Sequence, residues 1–108
     1  MAEREIIEFR YDTQLLLDRY VEDGADPDDV SDDLVDEIRE HILETFQGDC
    51  LVLAGDSGED DLGGEKAIVK LHFHTNEPWL VLQYCASQGE IFDIVVEDMD
   101  RQARGLQG

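Results

Sequence analysis

Basic residues are scarce. The 108-residue chain carries eight Lys and Arg against 28 Asp and Glu, a formal net charge of −20. A surface of that sign repels phosphate backbones and anionic headgroups, which argues against nucleic acid and anionic membrane as partners. A solvated acidic shell that keeps the chain in solution accounts for the charge, with a basic partner or a high-salt setting as the other readings. Long apolar runs are missing too. None approaches the ~20 residues that span a bilayer. The N-terminal stretch "MAEREIIEF" is charged and has no signal-peptide apolar region. Both features point to a cytoplasmic protein without a membrane span. Cysteine is limited to Cys50 and Cys85, neither in a CxxC pair. That excludes a disulfide framework, and their apolar neighbours make both candidates for small buried hydrophobes. A phosphate-cradling loop is absent as well. "GEDDLGGEK", Gly58 to Lys66, has glycines and a lysine, but it sits between two strands rather than at a helix start. Its carboxylates would repel phosphate, so it is expected to be a connecting loop.

What remains suits one domain spanning 1–108, with an ordered core at about 6–100. Hydrophobic residues make up 42% of the chain, enough for one modest core at this length. "IIEFRYDTQLLL", Ile6 to Leu17, mixes apolar and polar residues as a strand does. The acidic stretch 22–30 is a turn-rich linker. Val30, Leu34, Ile38, Ile42 and Phe46 then recur at helical spacing, with Val35 and Leu43 widening the stripe. Acidic residues crowd the start of that helix, where its dipole favours them, and Gly48 is placed to stop it. "CLVLAG", Cys50 to Gly55, is a short apolar strand. A Gly- and Asp-rich loop over 56–65 leads to a strand from Ala67 to His74. "TNEP", Thr75 to Pro78, starts a second helix, with Thr75 or Asn76 as its cap and Gly89 as its end. "IFDIVVEDM", Ile91 to Met99, is the last strand, and 101–108 is expected to fray. The order βαββαβ with right-handed crossovers predicts a ferredoxin-like α+β sandwich. It has a four-stranded antiparallel sheet, both helices on one face, and the first and third strands as central neighbours.

"IVKLHFHTNEPW", Ile68 to Trp79, holds two histidines one residue apart. Alternation along the strand puts Val69, Leu71 and Phe73 on one face and Lys70, His72 and His74 on the other. The apolar set must meet the helices, so the histidines lie on the open face, their Cα atoms about 6.6 Å apart. On the first strand Arg10, Asp12, Gln14 and Leu16 share one side. If that side faces outward, Asp12 lies across the ladder from the histidines. Two imidazoles and a carboxylate form an open, zinc-type ligand set, also suited to iron or manganese. The same HxH pattern also fits surface or interface histidines, or histidines that hold a loop. His41, between apolar positions of the first helix, is expected to be half-buried and structural.

Three segments, "GDCLVLAGD" (48–56), "VKLHFHTNEP" (69–78) and "VLQYCASQGEIFDIVVEDMDRQ" (81–102), resemble the middle domain of fatty acid kinase A, of the dihydroxyacetone-kinase-like, DegV-associated family. "YDTQLLL", Tyr11 to Leu17, is similar to the Tyr-Cys-Thr-Glu segment that opens that domain. The resemblance implies an accessory domain without its own catalysis. It would lie between a nucleotide-binding kinase domain and a domain that engages the fatty-acid-presenting partner, and it would take part in dimerisation. It also implies a zinc site from one cysteine and the two histidines, which carry over to His72 and His74. The cysteine position holds Asp12 here, and carboxylate binds zinc less selectively than thiolate. Trp79, after the proline, departs from the small residue usual in the family and is read either as a core-edge aromatic or as an interface anchor, with Arg10 and Lys70 as further interface candidates. Two alternatives stay open. One is a metal-dependent catalytic or sensing site at Asp12, His72 and His74; the other is a small-molecule-sensing regulatory domain.

Overall fold

A computed structural model describes residues 7–108. The strand start expected at Ile6 lies outside the described residues. β1 runs over Tyr11–Tyr20, so it begins and ends later than the apolar stretch suggests. Its core-facing residues are Thr13, Leu15 and Leu17. α1 spans Pro27–Thr45, taking in the end of the acidic linker. Asp26 caps it by accepting from the Asp28 N–H at 2.9 Å, and Pro27 fills the first turn, where a missing N–H costs nothing. The helix stops at Phe46 rather than at Gly48. Phe46 turns extended, and its N–H closes the last turn on the Ile42 carbonyl.

β2 (Gly48–Glu59) and β3 (Glu65–Thr75) are longer than the sequence suggests, and they form a hairpin. Most of the expected 56–65 loop is therefore strand, and only 60–64 turns. Asp60 makes that turn. Its Oδ1 accepts from the N–H groups of Leu62 (2.9 Å) and Gly64 (2.7 Å), while Gly63 supplies the positive φ of +82°. The hydroxyl of Tyr20 donates to Asp60 Oδ2 at 2.9 Å, tying the turn to β1. These bonds to its charged form lower the Asp60 pKa.

α2 spans Pro78–Gln88 and β4 spans Glu90–Asp98. Glu77 is the α2 cap residue and makes no side-chain cap bond; Thr75 Oγ1 accepts from the Glu77 N–H instead, at 3.3 Å. Residues 99–103, at the edge of the expected frayed tail, form a short helix, α3 (Met99–Ala103). It is capped by Asp98 Oδ1, which accepts from the Arg101 N–H at 3.0 Å. Among the described residues no helix is long and apolar enough to cross a membrane.

The sheet is antiparallel in the order β2-β3-β1-β4, the expected ferredoxin-like arrangement with β1 and β3 central. α1 packs on β2 and β3, and α2 on β4 and β1. The core between helices and sheet joins Leu15 and Leu17, Leu34, Ile38 and Ile42, Val69, Leu71 and Phe73, and Val81 with Cys85. Register decides everything on the other face. A one-residue slip of the central strands would expose Leu15, Leu17, Val69, Leu71 and Phe73. At about 1.5–3 kcal/mol each, that is roughly 7–15 kcal/mol, comparable to the whole stability of a small domain. The core therefore fixes which residues the open face presents.

Candidate metal centre on the open sheet face

The open face takes the even-numbered residues of β1 and β3. Asp12 pairs with His74 and Gln14 with His72 in the β1–β3 ladder, so all four side chains leave the sheet on the same side. The ring atoms converge. His72 Nε2 lies 3.0 Å from His74 Nε2. Asp12 Oδ1 is 3.3 Å from the first and 3.8 Å from the second. The amide of Gln14 donates to Asp12 Oδ2 at 3.3 Å and reaches Oδ1 at 3.4 Å, which restrains the carboxylate from behind. On the far side His74 Nδ1 lies 3.4 Å from Asp49 Oδ1. All three candidate ligands are half-buried, the side chains being 34% (His72), 21% (His74) and 20% (Asp12) exposed.

The donor set fits a small divalent cation. Zinc bonds of about 2.0–2.2 Å in a tetrahedral arrangement separate ligand atoms by about 3.3–3.6 Å. The observed edges of 3.0, 3.3 and 3.8 Å bracket that spacing. Three protein ligands would hold the ion and leave a fourth position for water or another donor.

A cavity of about 530 Å³ opens beside the centre, with His74, Asp49, Phe9 and Met99 in its wall. Sequence reasoning misses Asp49 and Cys50 as site residues. Apolar neighbours predict a buried Cys50; it is exposed, and only Cys85 lies in the core. The reason is an irregularity of β2 between Asp49 and Val52. Burial pushes the Cys85 thiol up to about 12, so that group stays protonated. A Gly-Asp-Cys run opening an edge strand, just opposite an HxH, is the one signal in the sequence that points to both residues.

The remaining candidates lie apart from the histidines. Lys70 stands on the open face between Leu16 and Ala54 in the two ladders, and it is exposed. Arg10 is engaged elsewhere: its Nη2 and Nε reach Asp98 Oδ2 at 2.7 and 2.9 Å. Trp79, in the first turn of α2, is 57% exposed and sets its ring edge-to-face against Tyr11, centroids 6.3 Å apart. His41 is structural, stacked on Tyr84 at 3.7 Å.

Compared with known proteins, the chain matches the family model for the middle domain of fatty acid kinase A-like (FakA-like) proteins over residues 8–106. No curated protein and no solved structure matches it.

Proposed function

Because this chain belongs to the FakA-like middle-domain family, we propose that it is a non-catalytic accessory domain. Its open sheet face serves assembly, and Asp12, His72 and His74 hold a zinc-class divalent cation there. The observation that carries the proposal is the convergence of His72 Nε2, His74 Nε2 and Asp12 Oδ1 within 3.8 Å on the sheet face opposite α1 and α2. The cation would supply Lewis acidity and a fixed point of positive charge. The chain's own residues position it: the histidines donate nitrogen, Asp12 offsets its charge, and Gln14 restrains Asp12.

Assembly is proposed as a homodimer through this face. Leu16 and Val95 face outward in the β1–β4 half of the sheet, and Val52 does so beside His72. Val52 is 60% exposed and Val95 40%, apolar surface that a second copy would cover. In a longer protein the domain would link a nucleotide-binding kinase domain to the domain that meets the fatty-acid-binding, DegV-type partner. Both thiols are free, which suits a reducing cytoplasm.

The test is elemental analysis of tag-free protein, read alongside its mass in solution. Stoichiometric metal in a dimer is expected. Metal-free protein that takes up no zinc removes the centre, and a strictly monomeric chain at high concentration removes the assembly role.

A further inference from the structure

Cys50 has no part in the Asp12, His72 and His74 centre, yet the fold brings it to the same place. The β2–β3 ladder pairs Asp49 with His74 and Val52 with His72. Three steps along β2 match two along β3, so β2 carries one residue too many. Cys50 and Leu51 share the position across from Phe73. Leu51 takes the core side and packs against the hydrophobic cluster. Cys50 turns the other way. It is exposed, with a left-handed φ of +54° that is uncommon outside glycine. A bulge of this kind re-aims a side chain, and here it re-aims a thiol.

The result is a second ligand group. Asp49, Cys50 and His74 each offer a ligand atom, and those atoms all lie within 4.8 Å of one another. His74 belongs to both groups. Its Nε2 faces His72 and Asp12, while its Nδ1 lies 3.4 Å from Asp49 Oδ1. The other left-handed non-glycine residue, Asp93, gathers no such group among the described residues.

We propose that Cys50 and Asp49, with the Nδ1 side of His74, bind a thiophilic divalent cation at a second position, beside the one that His74 Nε2 faces with His72 and Asp12. The inference rests on the reading that His74 presents its ring to a cation. A thiolate selects zinc, cobalt or cadmium over magnesium or calcium, which a two-histidine, one-carboxylate set does less sharply. On binding, the thiol gives its proton to solvent and a sulfur–metal bond forms, with no change of oxidation state. Asp49 and Cys50 stand at the sheet edge, so their side chains can close on the ion without disturbing the core.

The test titrates the tag-free full chain with Co(II) and follows the near-ultraviolet sulfur-to-cobalt charge-transfer band. Alkylation of the native protein with iodoacetamide, with and without Zn(II), gives a second readout. Cys85 is fully buried, so native alkylation reports Cys50 alone. The wild-type chain is expected to show the band, and Zn(II) is expected to protect Cys50. Cys50→Ser is expected to lose the band while keeping residual cobalt uptake through Asp12, His72 and His74. Cys85→Ala is expected to keep it. Cys50→Gly tolerates the left-handed backbone and so separates loss of the thiol from damage to the bulge; it too is expected to lose the band. Cobalt uptake without a sulfur band, with Cys50 alkylated equally fast in both conditions, overturns this inference and leaves the Asp12, His72 and His74 reading intact. No uptake by any variant overturns both.

Discussion

Asp12 and His74 are directly opposed in the β1–β3 ladder, and their side chains rise from the same face to put Oδ1 3.8 Å from Nε2. His72, one pleat away, closes the triangle. A cation held there loses an essential donor in His72→Ala or His74→Ala, and both variants are expected to lower the zinc content in elemental analysis by the equivalent bound at this centre. Gln14→Ala removes only the restraint on Asp12. Outer partners of this kind are worth about 10–100-fold in metal affinity, and competition with a chromophoric chelator reads that directly. Equal zinc affinity in Gln14→Ala and wild type would mean that Asp12 does not hold the ion.

Alternation along β3 makes a sharp stability contrast. Phe73 is 1% exposed between sheet and helices, so Phe73→Ala is expected to cost about 3–5 kcal/mol in urea unfolding. His72, its neighbour, faces outward. In metal-free protein His72→Ala is expected to stay within about 0.5 kcal/mol of wild type. A loss of several kcal/mol there would place the His72 ring beneath a helix.

Much of this is legible without coordinates. The alternation of Val69, Leu71 and Phe73 against Lys70, His72 and His74 fixes the face of each histidine, because the apolar set alone can meet the helices. The same logic places Asp12, since Thr13, Leu15 and Leu17 fill the core. What escapes are the departures from strict alternation. A bulge adds one residue and flips the parity after it, so Asp49 and Val52 face the same side and Cys50 is exposed where its apolar neighbours suggest burial. The long hairpin escapes for a related reason. Residues 56–59 are polar, with one glycine, and resemble a loop, but β3 offers a continuous ladder that satisfies their backbone. Tertiary pairing overrides local preference there.

Gly48 stands where β2 enters the sheet, paired with Thr75 just before the bulge. A Cβ at this position would run into the Phe73 ring and the His74 carbonyl. Neither can yield easily: the ring is packed in the core and the carbonyl belongs to the ladder. Gly48→Ala is expected to destabilise by about 1–3 kcal/mol in urea unfolding and to weaken zinc uptake by shifting His74. A variant with wild-type stability would show that the strand entry is looser than this packing implies.

Trp79 projects from the first turn of α2 with more than half its surface exposed. Buried tryptophans at the centre of an interface cost at least about 2 kcal/mol on truncation, ~30-fold in Kd. Trp79 stands on α2, on the helix side of the sheet, so Trp79→Ala is expected to leave the open-face dimer unchanged in sedimentation equilibrium, whereas a loss of that factor would move the contact to the helix side.

The clamp between Arg10 and Asp98 predicts how the fold fails in acid. Arg10 donates from Nε and Nη2 to Asp98 Oδ2, and the Arg101 N–H donates to Oδ1. The Arg10 bond first, and the backbone donor after it, hold the Asp98 pKa down to about 2, well below the ~3.9 of an unfolded aspartate. The unfolded chain therefore binds this proton more readily than the folded one. The contribution to stability is fully present above about pH 4 and disappears as pH falls through about 2. Asp98→Asn removes the charge but keeps an oxygen able to cap α3. The melting temperature of this variant is expected to fall less steeply than that of wild type between about pH 4 and about pH 2, while the variant is the less stable of the two above about pH 5. Arg10→Gln is expected to reproduce the same flattening from the other side of the pair. Parallel curves for all three proteins across that window would mean that the carboxylate of Asp98 titrates alike in the folded and unfolded chains, and that the N-terminal approach to β1 is anchored instead by Asn76, whose Oδ1 accepts from the Arg10 N–H at 2.8 Å.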